Sequence, residues 1–413
     1  MKNIKKSYVF SFLVVFSFVW WIIAVLAGGF NNFQFSVFYD KCDDLFADTL
    51  NNLGYSHDMD PYRNPVYGGS EKPYPPLVYC LMFLLSRICL ITNWDYLSIL
   101  SQPQFLIVYV ILIMIGVVLL YELLKSKVLG EGIIKYLLPT ALVFSFPFLY
   151  TIERGNTLVL TLIAVVVFLF YYDDKNKFIK EIALFSLAIA AAFKLTPAFF
   201  GLILIYDKKW KEALRCILYG VVMIFVPFCF LKGGIIENIL IFKENVSLNG
   251  SKYAFDQGCG LSSTAYKYYL MLGGTQPHLP NELFVCTTVL TAIICSVFVI
   301  CGFATKHKWI KIMGLSLITI ILPFHSGTYN LVYIIPAVIV FFNEADDSLT
   351  NWLLTLSLIP VFWVHIDVVS VLFGYNFGLS LVSALFLVIC LRDYYSKKSI
   401  FNRRLAFSKG RHS

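Results

Sequence analysis

The sequence predicts an all-α polytopic integral membrane protein, and three observations carry that prediction. Of the 413 residues, 59% are hydrophobic and only 14% are charged, with a mean hydropathy of +0.75. Apolar runs long enough to span a bilayer recur along the chain, for example near 7–29, 104–124 and 285–304. Basic residues collect in short clusters between those runs: Lys125/Lys127, Lys175/Lys177/Lys180, Lys208/Lys209/Lys211/Arg215, Lys306/Lys308/Lys311 and Lys397/Lys398/Arg403/Arg404. A chain this apolar cannot bury its hydrophobic surface in one soluble core. The clusters follow the positive-inside pattern and mark the cytoplasmic side. The net charge of +8 is therefore topological, and no nucleic-acid partner is expected.

Placing the clusters inside orders the elements by parity. The 7–29 segment reads as a signal anchor with a cytoplasmic N-terminus, because its apolar run exceeds a signal-peptide core and lacks a small-x-small cleavage site. Residues 31–75 are then a first external loop. The 77–92 segment, short and carrying Arg87, begins and ends outside as a re-entrant or interface-lying helix, and 104–124 crosses inward. Next, 133–150 goes out, Glu153-Arg154-Gly155-Asn156 lies outside and 157–172 returns. The stretch 181–206 has cytoplasmic flanks at both ends and Lys194-Leu-Thr-Pro197 in its middle. It reads as two short helices folded back at that break, since proline removes a helix hydrogen bond. Residues 215–231 exit, 232–283 form a second external loop, and 285–304 and 310–323 go in and out. The runs 329–343, 352–371 and 376–391 end with a basic cytoplasmic tail at 392–413. The total is about 11–13 membrane segments in a single domain spanning 1–413, with short amphipathic helices in the two long loops.

Parity gathers the unusual polar residues on the external side. The first loop holds seven carboxylates: Asp40, Asp43, Asp44, Asp48, Asp58, Asp60 and Glu71. Phe38 to Leu53 reads as an amphipathic helix that would align Asp40, Asp44 and Asp48 on one face at i, i+4, i+8 spacing. Such a face suits either solvation or a general base with an orienting neighbour. Tyr62, in Asp60-Pro-Tyr62, is a candidate ring for stacking on a sugar, and its plainer role is an interfacial anchor. Lys194 sits among apolar neighbours, where a charge costs about 2.5–3.5 kcal/mol on insertion scales, so a partner or an anionic ligand is expected. Arg154 pairs locally with Glu153 or forks onto phosphate oxygens. His325 is either a satisfied interface histidine or a donor to an anionic leaving group. No zinc spacing, metalloprotease signature, glycine-rich phosphate loop or EF-hand pattern occurs. No cofactor is expected, and an Asp/His-bound divalent cation in the first loop is left open.

At these residues the chain resembles the integral-membrane GT-C glycosyltransferases, specifically glycosyltransferase family 87. The matching features are Asp44-Leu-Phe-Ala-Asp48-Thr-Leu-Asn51, Asp60-Pro-Tyr62, Tyr74-Pro-Pro-Leu77, Phe148-Leu-Tyr-Thr-Ile-Glu153-Arg-Gly-Asn156, Ala191-Ala-Phe-Lys194-Leu-Thr-Pro197 and Tyr329-Asn-Leu-Val-Tyr333. Each is weak alone, and their order and spacing over about residues 30–345 carry the likeness. The resemblance implies a GT-C-type helical bundle in a bacterial plasma membrane. It implies a hexosyltransferase using a polyprenyl-phosphate sugar, with mannose the expected sugar and a glycolipid or cell-surface glycan the acceptor. A carboxylate of the first loop would be the base, with Asp48 matching best and Asp44 second. Arg154, Lys194 and His325 would hold the donor phosphate, and Tyr62, Glu153, Asn156 and Tyr329 would contact substrate.

Those residues suffice for single displacement with inversion, since phosphate can leave as an anion without an acid. The competing reading is a transporter or flippase of a lipid-linked sugar. Such proteins place ionisable residues near the midplane on broken helices, and only Lys194, with His365 and Asp367, fits that pattern.

Overall fold

The computed structural model describes residues 4–28, 45–64, 72–252, 258–276, 278–323, 326–364 and 374–409. Of the expected site residues, Asp44 and His325 lie outside that set, as do Asp40, Asp43, His365 and Asp367. Within it the chain is helical, and the one β-type pairing is an isolated bridge between Gly258 and Gly327. The helices are α1 (Ile4–Gly28), α2 (Ala47–Ser56), α3 (Pro76–Ile88), α4 (Tyr96–Leu100), α5 (Pro103–Lys127), α6 (Ile134–Val143), α7 (Phe146–Glu153), α8 (Leu158–Tyr171), α9 (Lys177–Phe193), α10 (Leu202–Tyr206), α11 (Trp210–Phe225), α12 (Ile235–Lys252), α13 (Leu261–Met271), α14 (Asn281–Ala304), α15 (Lys308–Ile321), α16 (Ile335–Glu344), α17 (Leu349–Phe362) and α18 (Tyr375–Lys409). Short 3-10 segments precede α10 (Thr196–Gly201) and α16 (Thr328–Ile334), and another follows α11 (Val226–Phe230).

Five helical stretches among the described residues are long and apolar enough to cross a bilayer: Lys6–Ala27, Pro103–Lys127, Trp210–Phe230, Asn281–Ala304 and Tyr375–Tyr395. They are largely exposed on the molecule, as lipid-facing helices must be. Shorter apolar helices fill the middle. The α15 and α16 helices are buried along nearly their whole length, so the bundle has a protein-lined centre.

Two expectations about individual segments are corrected. The 133–150 run is not one straight crossing: α6 and α7 meet at a 46° bend. Proline explains the break, because Pro147 in the first turn of α7 has no N–H to give the Val143 carbonyl four residues back, and the Ser145 cap is extended, so the ladder cannot run through. Residues 38–44 of the helix expected over Phe38 to Leu53 lie outside the described residues, and the described helix has other bounds. It begins at Ala47 because Phe46 adopts a left-handed conformation (φ 58°), which a right-handed helix cannot include, and it continues to Ser56. Asp48 therefore stands in the first turn of α2 and not in the middle of a longer acidic face.

The break at Lys194 is as expected. Lys194 is extended and caps α9, and Pro197 opens the 3-10 turn that leads back into α10. Both ends of this hairpin lie together. Lys209 pairs with Asp173, while Asp207 accepts from Tyr172 Oη at 2.7 Å and from Lys311 Nζ at 2.5 Å. The same face holds the Lys127–Asn343 and Trp309–Glu344 contacts and the ion pair of Lys6 with Asp347. All of these residues fall at the basic ends of the predicted segments. Removing the Asp207 carboxylate in Asp207→Ala strands two donors. It should lower stability by about 1–3 kcal/mol, seen as a reduced melting temperature in detergent; an unchanged temperature would show that the knot contributes nothing.

Candidate active site

On the opposite face the first loop is docked onto the turn between α7 and α8. The turn closes α7 with Gly155 in the left-handed region (φ 62°). Gly155 N donates to Ile152 O at 2.9 Å and Asn156 N to Thr151 O at 3.1 Å, the paired bonds of a Schellman cap. The carbonyls exposed on its outside then take up the start of α2. Phe46 N donates to Glu153 O at 2.8 Å, and Asp48 N donates to Arg154 O at 2.9 Å. The Thr49 hydroxyl adds a bond to Gly155 O and a 2.7 Å contact with Tyr109 Oη.

Glycine is required at 155 twice over. Its φ disfavours any side chain, and a Cβ there would lie 2.9 Å from Phe46 Cα and 2.8 Å from Tyr109 Oη.

This docking fixes the Asp48 carboxylate. Arg154 Nη2 donates to Oδ1 at 3.0 Å, and Asn156 Nδ2 donates to Oδ2 at 2.5 Å. Asn156 is itself held, its Oδ1 accepting from Leu158 N at 3.0 Å and its Nδ2 reaching Tyr74 Oη at 3.2 Å. Arg154 thus pairs with Asp48 across 106 residues. The Asp48 and Arg154 side chains are 15% and 17% exposed, so the pair is partly withdrawn from water yet reachable. Burial pushes the Asp48 carboxyl up to about 6, against the Asn156 hydrogen bond and the Lys194 charge, which pull it down. The Arg154 guanidinium acts in the same lowering direction.

Lys194, at the tip of the α9–α10 hairpin, faces the same spot. Its Nζ has no hydrogen-bond partner among the described residues and lies 4.2 Å from the Tyr329 ring centroid. Tyr329 in turn stacks on Tyr150 with centroids 6.3 Å apart. The structure therefore brings together Asp48, Arg154, Asn156, Lys194 and Tyr329, with Glu153 buried at the root of the turn.

Tyr62 is placed differently. It is 4% exposed, packed among Tyr79, Phe228 and Phe242, and its hydroxyl donates to Tyr74 O at 3.0 Å. With its faces covered, Tyr62 buttresses Tyr74 and offers no ring to a sugar. Tyr74, noted from sequence only as part of the Tyr74-Pro-Pro-Leu77 motif, has the hydroxyl that receives a bond from Asn156. Among the described residues no group of three or more His, Cys, Asp or Glu side chains is placed to hold a metal ion.

A protein-family model for glycosyltransferase family 87 matches residues 73–323, more than half of the chain. The chain belongs to glycosyltransferase family 87. Comparison with curated proteins gives no match. The span matched by family 87 is shorter than the stretch over which the motifs resemble the family. It contains Tyr74, the Glu153–Asn156 turn and Lys194, while Asp48 and Tyr329 lie beyond its ends and join the site by geometry alone. Family membership together with the apolar helices makes the protein a membrane glycosyltransferase.

Gly155→Ala should cost at least about 1–2 kcal/mol for the left-handed backbone alone and push Phe46 off the turn. The expected result is loss of transferase activity out of proportion to the change in helix content, read by activity and circular dichroism on the same sample.

Proposed function

We propose that the protein transfers a hexose, mannose in the first instance, from a polyprenyl-phosphate-linked donor to a hydroxyl of a glycolipid or cell-surface glycan. Transfer takes place at the outer membrane face and inverts the configuration at C1. The observation that carries this reading is the Asp48 carboxylate, gripped at both oxygens yet partly exposed, beside a lysine without a hydrogen-bond partner among the described residues.

An acceptor hydroxyl is a poor nucleophile at neutral pH. A carboxylate lifted to about 6 is ionised at pH 7 and still basic enough to take the hydroxyl proton as attack proceeds. Arg154 and Asn156 leave each Asp48 oxygen a second lone pair for that proton. In the step, the acceptor oxygen bonds to C1 while the bond from C1 to the phosphate oxygen breaks. The electron pair leaves with the phosphate, and Asp48 holds the proton. The Lys194 ammonium, with no competing hydrogen-bond partner among the described residues, suits the departing anion. A donor dissolved in the bilayer also accounts for an enzyme built almost wholly of membrane helices. Membership in a glycosyltransferase family argues against the transporter reading.

Asp48→Asn keeps the shape but can accept from only one of the two donors, Arg154 or Asn156, and cannot take the proton. It should lower kcat by about 100-fold or more in an assay with purified protein, a short-chain polyprenyl-phosphate mannose and membrane glycolipid extract. Wild-type-like turnover would remove Asp48 from the role of base. A base must be deprotonated, so activity should fall as pH drops through about 6 rather than through the 3.8 of an ordinary aspartate. Asn156→Ala, which deletes a hydrogen bond that lowers the Asp48 value, should move that acid limb to higher pH. A limb that stays in place would show that it reports another group.

A further inference from the structure

The same face carries a circuit of side chains traced contact by contact from Lys194. Lys194 lies over Tyr329, Tyr329 stacks on Tyr150, and Phe146 stacks on Tyr150 at 5.8 Å and on Tyr375 at 5.5 Å. Tyr375 receives a hydrogen bond from Lys267 Nζ at 3.0 Å, and the same ammonium sits 4.8 Å from its ring centroid. The circuit closes at Cys259, a buried residue within the electrostatic reach of both Lys267 and Lys194. Tyr150 and Tyr329 also lie in the field of Asp48, so the circuit flanks the carboxylate. Lys267 belongs to α13 in the second loop, and Cys259 anchors that loop by donating from its backbone N to Ser326 O at 2.7 Å.

We propose that Lys267 is the second cation of the donor-phosphate seat, opposite Lys194, and that the aromatic tier from Tyr329 to Tyr375 walls the sugar phosphate between them. The inference rests on the donor reading given above. The chemistry asks for two cations. A lipid-linked sugar phosphate is a diester with one negative charge. When C1 is attacked, the electron pair of the broken bond stays on phosphate and the leaving group becomes a monoester dianion. One ammonium balances the donor, and the second balances the charge that appears as the bond breaks. An ammonium is a compact donor suited to a phosphate oxygen, and aromatic faces suit the C–H surface of a sugar. The second loop then supplies a ligand-binding group as well as a cover.

The test is equilibrium binding of two probes to purified full-length protein in detergent at pH 8: farnesyl phosphate, a dianion, and farnesyl methyl phosphate, a monoanion. Lys267→Ala should weaken farnesyl phosphate by about tenfold or more and the methyl diester markedly less, while Lys267→Arg stays close to wild type. Equal affinity of wild type and Lys267→Ala for farnesyl phosphate would overturn the proposal. So would equal losses for the dianion and the methyl diester, which a merely structural role for Lys267 would give. Wild-type protein that binds neither probe would overturn the lipid-phosphate donor reading and the proposal with it, a result distinct from the two before.

Discussion

The site depends on backbone bonds made before any of its side chains are considered. The carbonyls of Glu153 and Arg154 point outward because Gly155 reverses the chain in a left-handed turn, and the amides of Phe46 and Asp48 have no partner within their own helix. Joining the two satisfies both sets of groups and sets the rotation of α2, which in turn aims Asp48 at Arg154 and Asn156. The strain of a phenylalanine in the left-handed region is held at that junction. Backbone acceptors thus position the carboxylate together with its own ion pair.

Electrostatics on this face are a balance between water withdrawn and charges supplied. A buried carboxylate is costly unless it is paired and hydrogen-bonded, and Asp48 meets both conditions while keeping some exposure. Lys194 is tolerated by other means: a ring face at 4.2 Å and the field of Asp48, without a hydrogen bond among the described residues. Such a cation loses hydration and gains little from its neighbours, which makes an anionic ligand energetically welcome there.

Much of the fold was legible because membranes simplify the code. The lysine clusters pointed to one shared face, and the contacts of Lys6, Lys127, Lys209 and Lys311 gather there, while Lys194-Leu-Thr-Pro197 marked the hairpin apex through proline chemistry. The 46° bend after α6 was missed, although Pro147 was in plain view, because the apolar run continued through it. In the site, Asp48, Arg154, Asn156, Lys194 and Tyr329 were named from sequence. The way they join was not, since the Asp48–Arg154 pair spans 106 residues and only packing brings it about. The start of α2 was misread because nothing in Leu45-Phe46-Ala47 announces a left-handed phenylalanine. Lys267 carried no signal at all, being one lysine in a polar loop helix. Tyr62 was over-read, for a tyrosine in a loop can as easily be core when a second loop packs over it.

The hairpin at Lys194 has a consequence for the order of the whole chain. It enters the bundle and returns to the face it left, so it adds two helices without adding a crossing. Every later segment therefore runs opposite to the direction it would take had the hairpin gone through. That change of parity is what lets the second loop emerge beside the first, where Arg63 bonds Asp60 at 2.9 Å, Glu237 at 2.9 Å and Asn238 at 3.0 Å, and Lys232 N meets Met59 O at 2.8 Å. A proline-marked half-crossing in the middle of the sequence thus accounts for two loops lying far apart along it meeting on one face.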